Sequence, residues 1–244
     1  MAGRFTNLKL RTITSGRIGR YLLYAIGEII LVVLGILIAL NINNKNEQKR
    51  ENIALNSILS NVHYDLKRDT LLVNLAIKNY GDREKVLDKI VKDEYTIEDY
   101  QKCLFCPSLI TSYFPMSIND KGYLQLKSFN QNSTVQNDTL IADVVQFYNA
   151  YTSFLKELGN EVKENTIDNV KNWRDNYPWF TAIMSGKQDP RFTKYISEDP
   201  DFKNRATYYN ILANKNYLSI LKQYKKDAKA ILIALEERDK VNTN

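Results

Sequence analysis

Cys103 and Cys106 stand in Cys103-Leu-Phe-Cys106, a spacing that signals thiol–disulfide exchange when it sits in a cytosolic βαβ protein. No thioredoxin-like pattern surrounds it here. The motif follows Thr96-Ile-Glu-Asp99, a capping box that predicts a short helix running toward Cys103, and Pro107 ends that helix. In an oxidising compartment the expected state is a local disulfide; free buried thiols rank second, and redox catalysis or metal binding last. A disulfide closing so small a loop constrains little of the unfolded chain, so its role would be to hold the turn before Pro107.

Glu28 is the second residue that points to chemistry, because it is the one charge in the apolar run Tyr21–Ile42. An acid inside a membrane span is costly, faces other protein or water, and is a functional candidate by default. Gly35 and Ala39 lie seven and eleven residues further on, and Tyr21 and Tyr24 seven and four residues earlier, so all share one helical face with Glu28. Small residues let helices approach, and a neutral or hydrogen-bonded Glu28 can pair across them, which predicts self-association or a partner span. The competing reading has Glu28 near the headgroups, setting only depth. A proton or ion path has nothing else polar in the span to support it.

Other candidates are fewer. His63 is the only histidine, beside a core stripe, which excludes a histidine-rich metal site and any histidine-based triad that does not use it. Carboxylates are plentiful, but no spacing singles out an acid–base pair. Tyr113-Phe114, Trp173, Tyr177-Pro-Trp179-Phe180 and Tyr208-Tyr209 are expected first to serve core and capping packing, with a ligand pocket at the bundle's irregular end as the second reading. No cofactor or metal is expected.

The elements that must position these residues begin with the span. Tyr21–Ile42 has 22 residues, enough to cross a hydrocarbon core of about 30 Å at about 1.5 Å per residue. Fourteen of them are Leu, Ile or Val, which together favour insertion by roughly 4 to 8 kcal/mol, against about 2.5 to 3.5 for a central carboxylate. Insertion wins. The run is apolar on every face, unlike a core helix. A cleaved signal peptide would have a shorter apolar region, about 7–15 residues, and an Ala-x-Ala-like end. This run ends Ala39-Leu-Asn41-Ile-Asn43-Asn44, which favours an uncleaved signal anchor.

Residues 1–20 carry Arg4, Lys9, Arg11, Arg17 and Arg20 and no acid. The positive-inside rule then keeps this leader in the cytoplasm and sends residues 43–244 outward. Those residues hold 29 basic and 27 acidic groups, so the outer part is close to neutral. The overall net charge of +6 is therefore mostly the leader, where topology and an anionic leaflet account for it. Nucleic-acid binding is not expected.

The outer part reads as helical. Leu55, Val62, Ala76 and Ile90 interleave with Leu59, Leu66, Val73, Tyr80 and Leu87 in an a/d seam, broken at Asp69 and Arg83. Those two charges argue for one helix of a bundle over a clean two-stranded coiled coil. Residues 43–54 are a polar helical neck, and the membrane face continues into Asn46 and Lys49, out of phase with the soluble seam. Asn119–Phe129 is a further short helix, Asn130–Asn137 a connector and Thr139–Trp173 a long helix. Tyr177–Pro200 reads as irregular. Asp201 then caps a last long helix through Phe202, Tyr209, Leu212, Asn216, Leu221, Tyr224 and Ile231. The expected architecture is all-α: one N-terminal transmembrane helix, then an elongated up-and-down bundle over residues 55–240 with short connecting helices.

Tyr24-Ala-Ile-Gly-Glu-Ile-Ile-Leu-Val-Val-Leu-Gly-Ile-Leu-Ile-Ala-Leu-Asn-Ile-Asn-Asn44 resembles the signature of an uncharacterised family of bacterial inner-membrane proteins, a domain of unknown function. Gly122-Tyr-Leu-Gln-Leu-Lys-Ser-Phe129 and Leu140-Ile-Ala-Asp143 are similar to its second block, although Phe129-Asn-Gln-Asn stands where a Gly-Asn-Leu-like turn is common. The resemblance implies a single-pass envelope protein of Gram-negative bacteria and supplies no catalytic residues. The expected function is a non-enzymatic, membrane-anchored periplasmic bundle that recognises a protein or ligand or scaffolds an envelope complex. The alternative is a small oligomeric channel or energy-coupling subunit that uses Glu28.

Overall fold

The computed structural model describes residues 17–132 and 138–243, and no strand occurs among them. The chain divides into two compact units between Ala54 and Leu55. Helix α1 (Arg17–Val91) runs through that division. In the first unit α1 carries the apolar run, exposed along its length. Among the described residues it is the one helix long and apolar enough to cross a membrane, by length and composition alone. Residues 1–16 of the expected basic leader lie outside the described residues.

In the second unit α1 contributes the first wall of a continuous core. Leu55, Leu59, Val62, Leu66, Val73, Ala76, Tyr80, Leu87 and Ile90 are all buried. After it come α2 (Ile97–Lys102), a 3-10 turn at Cys106–Ser108, α3 (Lys121–Asn132), α4 (Thr139–Asn176), α5 (Phe180–Met184), α6 (Pro190–Glu198) and α7 (Pro200–Tyr209). A π-helical segment (Asn210–Tyr217) leads into α8 (Leu218–Thr243). α4 packs against α3, α8 and the π segment, α7 against the π segment, and α2 against α6.

The two breaks in the α1 seam each have a partner. Asp69 is fully buried. It accepts hydrogen bonds from the Asn119 backbone N–H at 2.8 Å, from the Asn119 side-chain amide, and from the Tyr224 hydroxyl at 3.4 Å. One turn earlier, Asp65 accepts from the Gly122 N–H at 2.9 Å. Arg83 donates to the carbonyl and hydroxyl oxygens of Ser112, both at 2.6 Å, and to the Tyr209 hydroxyl at 3.3 Å. Residues 112–120 carry no helix, so their backbone groups need partners from elsewhere. The charged interruptions supply them where this connection crosses α1.

Burial pushes the Asp69 carboxyl above the usual carboxylate range, and neighbouring Asp65 adds to it; the bonds from Asn119 and Tyr224 offset part of the rise. A carboxyl whose pKa is higher folded than unfolded binds protons more tightly when folded. Its contribution is therefore most favourable in acid, below the unfolded value, and is lost as pH rises through the folded value. Asp69→Asn removes that titration. Melting wild type and variant across pH 4–7 should show the stability difference moving against wild type as pH rises; a pH-independent difference would refute this.

Four local expectations change. Tyr177–Pro200 is not irregular: α5 and α6 fill it, because Asp189 caps α6 by accepting from the Arg191 N–H at 2.9 Å, with Pro190 as the first helical residue. Asp201 is not the cap of the next helix; Asp199 is, accepting from the Asp201 N–H at 2.9 Å. The final helix is not one regular run. Leu212 is half-buried and Asn216 exposed, while Ala213, Asn214 and Tyr217 are buried. The π segment holds one residue more per turn than an α-helix, which shifts the inward face before Leu221 and Tyr224 resume it. Asn214 bonds to Asn210 at 2.7 Å and Asn210 to Asp88 at 2.9 Å inside the widened turn. The Asn130–Asn137 connector is helical through Asn132; residues 133–137 lie outside the described residues.

Candidate functional site

The Val91 end of α1 is where short elements meet and leave a groove. Its first wall is α2 and the turn behind it. Thr96 and Asp99 form a reciprocal capping box that starts α2, and Tyr100 is buried against Tyr95 and Phe202, with ring centroids 4.7 and 6.5 Å away. Cys103 closes α2, and Cys106 opens the 3-10 turn. The two are disulfide-bonded, with Cα atoms 5.4 Å apart. Between the bonded cysteines Leu104 and Phe105 are exposed, and Leu104, at 87%, is the most exposed large apolar side chain described in the second unit.

The opposite wall is the α5–α6 turn. Gly186 adopts φ +76°, a left-handed conformation that favours glycine, and the Lys187 N–H returns to the Ala182 carbonyl at 2.9 Å. α6 then buries Phe192, Tyr195 and Ile196. Between the walls lies a half-open cavity of about 690 Å³, with Ile97, Leu104, Pro107, Ile183, Phe192 and Ile196 as its apolar lining. Lys187, Lys194, Asp189 and Glu198 bring charges of both signs to the lining, and Gln101 makes the α2 side partly polar as well. Small-molecule sites run to roughly 300–1,000 Å³ with this kind of mixed lining.

Phe192 joins the groove to an aromatic layer behind it. Trp173 is fully buried, with ring centroids 5.3 Å from Trp179 and 5.4 Å from Phe192. Its indole N–H donates to the Tyr195 hydroxyl at 3.1 Å, and that hydroxyl donates to Asp201 at 2.8 Å. Asp201 also accepts from Arg205 at 3.0 Å and from Asn172 at 3.1 Å. Burial, reinforced by the Asp201 bond, holds the Tyr195 hydroxyl well above the ordinary tyrosine range, so it serves as a donor. This layer supports the groove and offers it no base.

The sequence-identified residues divide accordingly. Trp173 packs in the aromatic layer and lines no cavity described above, while Tyr177 and Trp179 line a second hollow of about 440 Å³ on the other side of α6. Tyr208 is exposed, Tyr209 is buried beside Arg83, and Phe114 bonds to the Tyr80 hydroxyl through its backbone N–H at 3.0 Å. They do not join the cluster as one pocket. Cys103 lines the groove. His63 approaches Glu236 at 3.4 Å near the surface. Tyr24, Glu28, Gly35 and Ala39 lie exposed on α1 in the first unit. Among the described residues no group of three or more His, Cys, Asp or Glu side chains is arranged to hold a metal.

The family of unknown function DUF6090 matches residues 28–214. The chain belongs to that family. The DUF6090 match begins inside the apolar run, at Glu28, takes in both walls of the groove and ends within the π segment. No curated protein and no solved structure matches the chain.

Reading the sequence misses Phe192, Tyr195 and Ile196 because the run that holds them looks irregular until Asp189-Pro190 is seen as a helix start. It misses Leu104 because an apolar residue between two cysteines carries no sign of which way it points. Reducing the disulfide should leave the fold standing. Closing so short a loop is worth about 2 kcal/mol at most by the chain-entropy relation, and Tyr100 holds α2 independently. A melt with and without reductant should show a small downward shift with unchanged helix content; loss of the fold would refute this.

Proposed function

We propose that this DUF6090 chain is a non-enzymatic, membrane-anchored recognition protein whose groove between α2 and α5–α6 takes the ligand. The observation that carries this reading is the groove: apolar residues from both walls, charged groups on the α5–α6 side, and an edge formed by the outward Leu104. Monomeric domains rarely expose contiguous apolar surface without a use for it. In this reading the Tyr21–Ile42 part of α1 is an uncleaved signal anchor in the bacterial inner membrane, the leader is cytoplasmic and the second unit is a periplasmic up-and-down bundle. The long apolar run and the charge of residues 1–20 support that placement. Glu28, Gly35 and Ala39 would mediate self-association or contact with another membrane protein.

The experiment is native mass spectrometry of the full chain released from lipid nanodiscs. A bound species should accompany wild type and be lost from Leu104→Asp, a change at an exposed position that spares the core. A species retained by Leu104→Asp, or none on either protein, overturns the assignment of the groove. A reporter fused after Asn244 should be active outside the cytoplasm; cytoplasmic activity overturns the orientation.

A further inference from the structure

Resting on that recognition reading, we infer that the groove binds a single-chain amphiphile with an anionic head, its aliphatic tail along Ile97, Leu104, Ile183 and Phe192 and its head at Lys187 and Lys194. Three observations carry this. First, both walls supply apolar lining, Ile97 and Leu104 from the α2 side and Ile183 and Phe192 from α5 and α6, while the lysines, Lys187 and Lys194, come from the α5–α6 side alone. Second, the positive charge is available. Asp189 is occupied by Arg191, at 3.0 and 2.7 Å, and by capping α6, whereas among the described residues no carboxylate pairs with Lys187 or Lys194. Glu198, the remaining acid on the lining, is the last residue of α6, one turn beyond Lys194, so the head lies toward Lys187. Third, the walls are helices and tight turns whose backbone groups are largely bonded internally. An extended peptide would find no strand edge to pair with, but an aliphatic tail needs none.

The test uses the full chain in nanodiscs of zwitterionic lipid and three diazirine-bearing probes of equal chain length: a fatty acid, a lysophosphatidic acid and the uncharged fatty alcohol. After photolysis, peptides are mapped by mass spectrometry. The acidic probes should label residues 97–107 and 183–197 at least tenfold more than the alcohol. Lys187→Ala with Lys194→Ala should remove that margin, and Lys187→Arg with Lys194→Arg should retain it. Competing fatty acids should strengthen about fourfold per added methylene, the value of one buried CH₂. Whichever head labels more strongly distinguishes a carboxylate from a phosphate source. Equal labelling by the alcohol, or acidic-probe labelling confined to residues 21–42, overturns the inference. If the groove stays unlabelled while wild type still carries a species lost from Leu104→Asp, the ligand class is wrong and the recognition reading stands; if neither is seen, both fall.

Discussion

Gly122→Ala will destabilise the second unit severely. A Cβ at this position would lie 2.7 Å from the Val62 backbone nitrogen and 2.9 Å from both the Val62 Cα and the Asn61 carbonyl carbon. All three are backbone atoms in the middle of α1, so no rotamer change relieves the contact. α3 must move away, stretching the Asp65 bond to the Gly122 N–H and the Asp69 bonds to Asn119. The cost should reach or exceed the roughly 1–3 kcal/mol typical of core overpacking. Gly159→Ala is the matched control. Its new Cβ would meet only the outer end of the Tyr217 side chain, at 3.4–3.7 Å, which is ordinary van der Waals contact, and the gain in helix propensity of up to about 1 kcal/mol favours it. Thermal unfolding followed by circular dichroism should lower the midpoint for the first variant and leave the second unchanged or raised. Equal behaviour of the two would show that α3 does not rest on α1 as described.

Trp173→Ala should be worse still, at roughly 3–5 kcal/mol, because it removes a large buried side chain from a site that cannot collapse. Trp179, Phe192 and Tyr195 all pack on its ring, and Tyr195 loses the indole donor while keeping its bond to Asp201. Phe192 belongs to both the aromatic layer and the groove, so the damage should spread to the groove before global unfolding. Hydrogen exchange should show α5 and α6 losing protection first, with α1 and α4 near Leu55–Leu66 and Val144–Leu155 largely retained. Uniform loss of protection throughout the unit would contradict that order.

How much of this could be read beforehand depends on what each residue answers to. The α1 seam was legible because every third or fourth position meets the same core, so periodicity alone marks Leu55 through Ile90. The α2 cap was legible because Thr96 and Asp99 bond only to their own turn. Asp69 and Arg83 were visible as interruptions, but their partners, Asn119 and Ser112, lie 50 and 29 residues away, and no local pattern announces such a pairing. Gly122 stood out in a block resembling a family, without the reason that a backbone needs its missing side chain. The groove was hardest to foresee, since its two walls come from separate stretches, residues 97–107 and 183–198, and nothing in either, the paired cysteines included, signals that the two meet.

The widened turn at Asn210–Tyr217 makes one kind of change unusually mild. Removing a residue from most helices rotates everything downstream by about 100° and turns the buried stripe toward water. Here a single-residue deletion, for instance of Ile211, would convert the wide turn to an ordinary one. Tyr224, Ile231 and Leu235 would still meet α4, because the surplus residue is what the wide turn already absorbs. Along this helix, the spot most forgiving of a frame-preserving codon loss lies in the middle of a packed element and not in a loop.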